Sequence, residues 1–235
     1  MKLWHTLIFT LLLTIGLIGC GAQQPAQPQA QEAAPAPKTE TYTDENGFFT
    51  ADYPAGWVVE PYGFGDEAPF PHVTFGSNQE IIDLSNAMKP LPEDQIAVAV
   101  MLLSSDMFAE AGVTAESSLE EVAPLVLMSM AEGDEDIAQA MTDATIEPVN
   151  LSNGTPAVRV TAAAPSEAYI VRLADLGNGV YIFAPAVIAV DSHNAELEAQ
   201  IEAIVNSVNV TASSEEVMAF VMEKMGGMEG MEETK

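Results

Sequence analysis

Positive charge is scarce in this 235-residue chain: seven Lys and Arg stand against 35 Asp and Glu, a formal net charge of −28. A surface of that sign repels polyanions, so nucleic acid is excluded as an expected partner and anionic lipid headgroups are disfavoured. Cysteine is nearly absent. Cys20 is alone, so no intrachain disulfide can form and the fold must be held by its core. Histidine is scarce as well, and beyond the first 20 residues only His72 and His193 occur. There is no His-Glu-x-x-His, no Walker loop and no Gly-x-Gly-x-x-Gly. His193 follows Asp191 and Ser192, but a nucleophile, base and orienter must meet in space rather than follow one another on the chain. That trio reads as a helix cap, and His72 as a surface histidine at a strand start. Asp134-Glu135-Asp136 lacks the spacing and the glycine of a calcium loop and reads as a solvated helix start. Catalytic residues, a cofactor and enzymatic activity are therefore not expected.

What is present begins at the N-terminus. Met1-Lys2 precedes an apolar run from Leu3 to Ile18, the layout of a secretory signal and short for a span of about 20 residues. It ends in Leu17-Ile18-Gly19-Cys20, which resembles the lipobox of bacterial lipoproteins. The resemblance implies a signal peptide over residues 1–19 and a lipidated Cys20. Stable anchoring takes two or more acyl chains, at about 0.8 kcal/mol per buried methylene. The expected location is the cell envelope, on a membrane, facing the periplasm or the cell exterior. Residues 20–38 continue almost wholly in Ala, Pro and Gln, a composition that packs no core. They form a tether reaching roughly 25 Å as a coil and roughly 55 Å as extended polyproline II. Removal of residues 1–19 takes Lys2 and leaves the 35 acids against six cations. Because the acids are dispersed, solubility or a saline habitat accounts for them, with a cationic ligand or basic partner as the sharper alternative.

Three Asn-Gly pairs, at Asn46, Asn153 and Asn178, each sit between β-rich segments. They predict hairpins with type I′ turns, whose two central residues need positive φ. The strand pairs are 40–43 with 48–53, 145–151 with 156–162, and 168–176 with 180–188. Further strands are expected at 56–60, 72–75, 80–84 and 95–103. A helix over 191–208 carries Leu197, Ile201, Ile204, Val205 and Val208 on one stripe, with Glu196, Glu198 and Glu202 opposite. A second starts at the capping box Ser118-Leu119-Glu120-Glu121 and runs to about 132, with Pro124 expected to kink it or mark a later start. A short helix follows over 134–141. The class is α+β, a largely antiparallel sheet covered by helices.

Gly47-Phe48 followed by Tyr53-Pro54-Ala55-Gly56-Trp57 resembles the opening signature of the PsbP-like domains, and the amphipathic helix after the last hairpin is similar too. The resemblance covers residues 39–210. It implies an α/β/α sandwich and a non-enzymatic, extracytoplasmic accessory protein that docks on other proteins. The best-known members assist photosystem II, partly through basic residues, and this chain has almost none. Phe48, Tyr53 and Trp57 read on their own as an apolar anchor at one end of the core.

Residues 211–235 are acidic and methionine-rich. Ser213 and Glu216 form another capping box, and Val217, Met218, Val221, Met222 and Met225 fit one face of a short helix ended by Gly226-Gly227. The reading is a docking helix or a disordered tail. The alternative is metal: Met218, Met222, Met225, Met228 and Met231 supply soft thioethers suited to Cu(I). The expected function is thus a lipid-anchored accessory or adaptor protein with a protein partner, and the alternative a lipoprotein binding a small ligand or copper.

Overall fold

In the computed structural model, the described residues are 38–63, 68–87, 89, 91–114, 116–130, 135–165, 167–189 and 195–232. Cys20, the signal segment, most of the tether, Asp134 and the Asp191-Ser192-His193 trio lie outside them.

Two antiparallel sheets form the framework. Strands β1 (Thr39–Thr43), β2 (Phe49–Pro54) and β10 (Asn209–Val210) make a three-stranded sheet in the order β1-β2-β10. Strands β3 (Val58–Pro61), β4 (His72–Gly76), β5 (Ile96–Ser104), β6 (Thr145–Asn150), β7 (Pro156–Ala163), β8 (Glu167–Asp175) and β9 (Val180–Ala189) make a seven-stranded sheet in the order β3-β4-β5-β9-β8-β7-β6. The helices are α1 (Gln79–Asn86), α2 (Leu119–Met130), α3 (Glu135–Thr142), α4 (Ala195–Ser207) and α5 (Ser214–Glu232), with a 3₁₀ turn at Ser105–Ala111.

The period of two divides the large sheet into two apolar faces. One presents Val73, Phe75, Val98, Val100, Leu102, Ile170, Ile182 and Ile188 to Phe49 and Ala51 of β2 and to Leu197, Ile201, Ile204 and Val205 of α4. The other presents Leu103, Val158, Val160, Val171, Leu173, Tyr181 and Phe183 to Val122, Val126 and Leu127 of α2 and to Ile137 and Met141 of α3. Helices thus cover both faces of an antiparallel sheet, an α+β architecture in three layers. Phe48, Tyr53 and Trp57 pack against the first of these cores, and Tyr53 stacks on Phe75 at 5.2 Å.

The three Asn-Gly hairpins form between the expected segments, but their turns differ, and the second and third pair one residue off the register of a two-residue turn, with Asn150 opposite Pro156 and Asp175 opposite Tyr181. Among the described residues, positive φ outside glycine is confined to Tyr62 and Asp94. The asparagines keep negative φ and only the glycines enter the left-handed region: Gly47 at +73° and Gly154 at +86°. Each of these closes a turn, with Gly47 N donating to Asp44 O and Gly154 N to Leu151 O. The physical reason is local. Asn153 Oδ1 accepts from Thr155 N and Asn178 Oδ1 from Val180 N, side-chain bonds that hold asparagine in an ordinary turn conformation.

Residues 80–84, expected as a strand, belong instead to α1. Asn78 caps it, its Oδ1 accepting from Ile81 N at 3.2 Å, and Ile81 and Ile82 are buried. Pro124 lies inside α2, which begins at Leu119 and continues through it to Met130. Its start keeps half of the capping box, Ser118 N donating to Glu121 Oε2 at 2.9 Å. α5 also runs past its expected end, through Gly226-Gly227 to Glu232. Gly226 does not take the left-handed conformation that would stop a helix, so the pair weakens the helix rather than terminating it.

Candidate functional site: the seam between the first hairpin and the C-terminal helix

The turn after β1 carries Asp44, a carboxylate only 2% exposed. It accepts from the backbone of Asn46 at 2.9 Å and of Phe48 at 3.3 Å, and from the Tyr62 hydroxyl at 2.9 Å. A buried carboxylate needs such donors, because an unpaired one is costly. Tyr62 follows β3 at φ +54°, a conformation costing a residue with a Cβ roughly 1–2 kcal/mol. Its hydroxyl offsets that cost by donating to Asp44 and accepting from Asn46 Nδ2 at 2.9 Å. Burial, and then Asp44, push the Tyr62 phenol up, so it remains a neutral donor. Tyr42, on β1, is raised by burial and by Asp44 and Glu45. Its buried hydroxyl has no hydrogen-bond partner among the described residues.

His72, expected at the surface, is fully buried. The reason is its strand: β4 lies between β3 and β5, and all five of its residues are buried. Its Nδ1 lies 2.8 Å from Phe70 O, which can only accept, so Nδ1 carries the proton. Burial lowers its pKa. Tyr62 packs edge-on against the imidazole at 5.3 Å.

α5 closes over this group. Its start is a full capping box: Ser213 N and Oγ donate to Glu216 Oε2 at 2.8 and 2.9 Å, and Glu216 N returns a bond to Ser213 Oγ. These bonds lower the Glu216 pKa. Ser214 Oγ sits 2.7 Å from Ser104 Oγ at the end of β5. Val217 and Val221 are buried. Phe220 meets Phe48 perpendicularly at 5.6 Å and Tyr62 at 5.9 Å with a 30° interplanar angle. Lys224 Nζ lies 5.4 Å from the Phe220 centroid and 5.7 Å from that of Tyr62. At an exposed site such cation–π contacts contribute about 0.5–1 kcal/mol.

The five expected methionines divide. Met218 is half-buried, whereas Met222 and Met225 are 59% and 48% exposed. The expected single apolar face is therefore split, with Val217 and Val221 packed and Met222 and Met225 open. Met218, Met222 and Met225 follow at i, i+4 and i+7, which keeps them on one strip. The side chains of Met228 and Met231 lie outside the described residues, as does Cys20.

Sequence reasoning missed a second cluster. Arg159 and Arg172 are the only arginines in the chain, and they pair directly across β7 and β8. Glu198 Oε1 lies 2.7 Å from Arg159 and 3.0 Å from Arg172, and Glu202 Oε1 2.8 Å from Arg172. Two of the three glutamates expected on the far side of α4, Glu198 and Glu202, instead reach back to the sheet. The available signal was two arginines within otherwise apolar strands. A shallow groove of about 360 Å³ lies between Ser117–Glu120 and the edge strand β6, lined partly by Pro148, Val149 and Asp175. Among the described residues, no group of three or more His, Cys, Asp or Glu is placed to hold a metal ion.

No family profile matches the chain, and no curated protein matches it in sequence. Among solved structures it is similar to the Ran-binding protein Mog1p of Saccharomyces cerevisiae, at 13% identity over 74% of this chain and 96% of that one, with a TM-score of 0.44. It is also similar to the cyanobacterial PsbP (CyanoP) of Synechocystis, at 15% identity over 76% of this chain and 95% of that one, with a TM-score of 0.42. Values this low carry no function from those proteins to this chain.

Proposed function

We propose that this chain is a lipid-anchored accessory or adaptor protein of the cell envelope, held to a membrane through Cys20, that docks on other proteins and catalyses no reaction. The observation that carries this reading is the strip on α5. Two adjacent large apolar side chains, Met222 and Met225, stand open to solvent on a helix pinned to the domain by Val217, Val221 and Phe220. Methionine suits adaptable contact surfaces because its thioether is polarizable and its side chain unbranched. The polar clusters of the domain are occupied structurally: Asp44 holds a turn and the arginine pair clamps α4. A photo-activatable residue placed at position 222 of the full lipoprotein, in native membranes, is expected to give a reproducible protein adduct that is absent with the same residue at exposed Gln139 on α3. Equal labelling at both positions, or none at 222, would sink the reading.

A second reading, Cu(I) binding, is favoured by one observation: the i, i+4, i+7 spacing aligns three thioethers on one strip, donors that suit a soft cation. Cu(I) uptake in competition with a chromophoric chelator tests it, and uptake unchanged by truncation at Ser213 would remove it.

A further inference from the structure

We propose that the Tyr62–Phe220 ring pair is a binding site for a small quaternary or alkyl ammonium ligand, with Lys224 as its internal occupant. The site is independent of the adaptor reading. The two ring centroids lie 5.9 Å apart with their planes inclined by 30°, and Lys224 Nζ sits over both rings at once, within 5.7 Å of each centroid. Cations are attracted to the negative face of an aromatic ring, and quaternary ammonium groups are recognised in this way by ring clusters. Phe48, perpendicular to Phe220 at 5.6 Å, fixes one ring. The Asp44 hydrogen bond fixes the other. His72, edge-on to Tyr62 and buried, supports the ring from within the sheet.

Lys224 is a weak occupant. It is exposed, and its ammonium is strongly hydrated. A methylated ammonium sheds water more readily and fits the same faces. The chain's net charge of −28 raises the local concentration of any cation.

The test titrates tetramethylammonium chloride into the full-length chain in a maltoside detergent, which carries no choline group. Phe and Tyr rings are labelled for NMR, and sodium chloride at matched ionic strength is the reference. Saturable shifts at Phe220 and Tyr62 are expected in Lys224→Gln, with a Kd at least about fivefold below that of the wild type. Lys89→Gln, which removes the same charge from another exposed site, should bind as the wild type does. Adding Phe220→Leu to Lys224→Gln should abolish the shifts. No saturable shift in Lys224→Gln, or an equal gain from Lys89→Gln, overturns the proposal.

Discussion

Arg159 and Arg172 face each other across β7 and β8, and one oxygen of Glu198 lies within 3.0 Å of both guanidinium groups. Like charges directly opposite in a sheet repel, and Arg172 is 1% exposed. Arg172 Nη1 and Arg159 Nε have no hydrogen-bond partner among the described residues. Arg159 also pairs with Glu147 of β6 at 3.5 Å, but the buried Arg172 takes its counter-charge from Glu198 and Glu202 of α4, so α4 is bound to the sheet by charge as well as by Leu197, Ile201 and Ile204.

Glu198→Gln should destabilise the domain by about 2–4 kcal/mol, because it removes the carboxylate shared by two neighbouring cations, one of them buried, and leaves Arg172 only Glu202 and Arg159 only the longer 3.5 Å pair with Glu147. Glu202→Gln should cost under about 1 kcal/mol, since a half-exposed ion pair is worth little; its side chain is 51% exposed. Urea unfolding of both variants compares them. A loss in Glu198→Gln no larger than the small one expected of Glu202→Gln would show that the arginine pair does not depend on Glu198.

His72 should make stability fall with acidity. Burial disfavours its charged form and lowers its pKa in the folded state. The unfolded chain binds the proton first, near pH 6.5. Stability is therefore complete above about pH 6.5 and is lost as pH falls from there towards the folded pKa, with a slope of at most about 1.4 kcal/mol per pH unit. Unfolding between pH 7 and 5 should show this slope in the wild type and a smaller one in His72→Gln. Identical slopes would refute the assignment.

The framework was legible because it rests on local periods. Asn-Gly pairs between β-rich segments marked the hairpins of β6 to β9, an apolar run marked β5, and the stripe from Leu197 to Val205 marked α4. What escaped depended on non-local geometry or on competing local bonds. Residues 80–84 read as a strand because Ile81-Ile82 is β-branched, yet the Asn78 cap and the packing of both isoleucines favour a helix. His72 is buried because its strand is interior to the sheet, and no neighbour in sequence says so. The arginine clamp needs the β7–β8 register and the placing of α4 together. Tyr62 carried no sequence signal at all: its role follows from a positive φ and from partners 16 to 18 residues away.

Tyr62→Phe should cost about 1–2 kcal/mol by removing one donor from a buried carboxylate. In an Asp44→Asn background the same change should cost less, because a neutral amide needs that donor less. A double-mutant cycle by chemical unfolding reads the coupling. Additive losses would show that the 2.9 Å contact carries no energy.

Cys20→Ser should move the protein out of the membrane fraction. On the proposed reading anchoring would rest on acyl chains, at about 0.8 kcal/mol per buried methylene, and the chain's net charge of −28 offers no attraction to anionic headgroups. Fractionation, with the mass of the Cys20 peptide from the wild type, checks both parts. A Cys20→Ser protein that stays with membranes, or an unmodified Cys20 peptide, would count against lipidation.

Met222→Leu with Met225→Leu separates the two proposed uses of the α5 strip. Leucine keeps the apolar surface and a strong helix propensity but removes the sulfur. If the strip is a contact surface, the double variant should retain the photo-adduct at a neighbouring position such as Ala219, because volume-conserving Leu and Met exchanges usually cost under about 1.5 kcal/mol. If the strip holds Cu(I), metal uptake should collapse while the helix stays intact, because the soft donors are gone. Replacement by Gln reverses part of the logic: it removes apolar surface and sulfur together, so both activities should fall. An adduct that survives Leu but not Gln therefore identifies apolar contact as what the partner reads. An adduct lost equally in both would mean that the thioether itself is recognised.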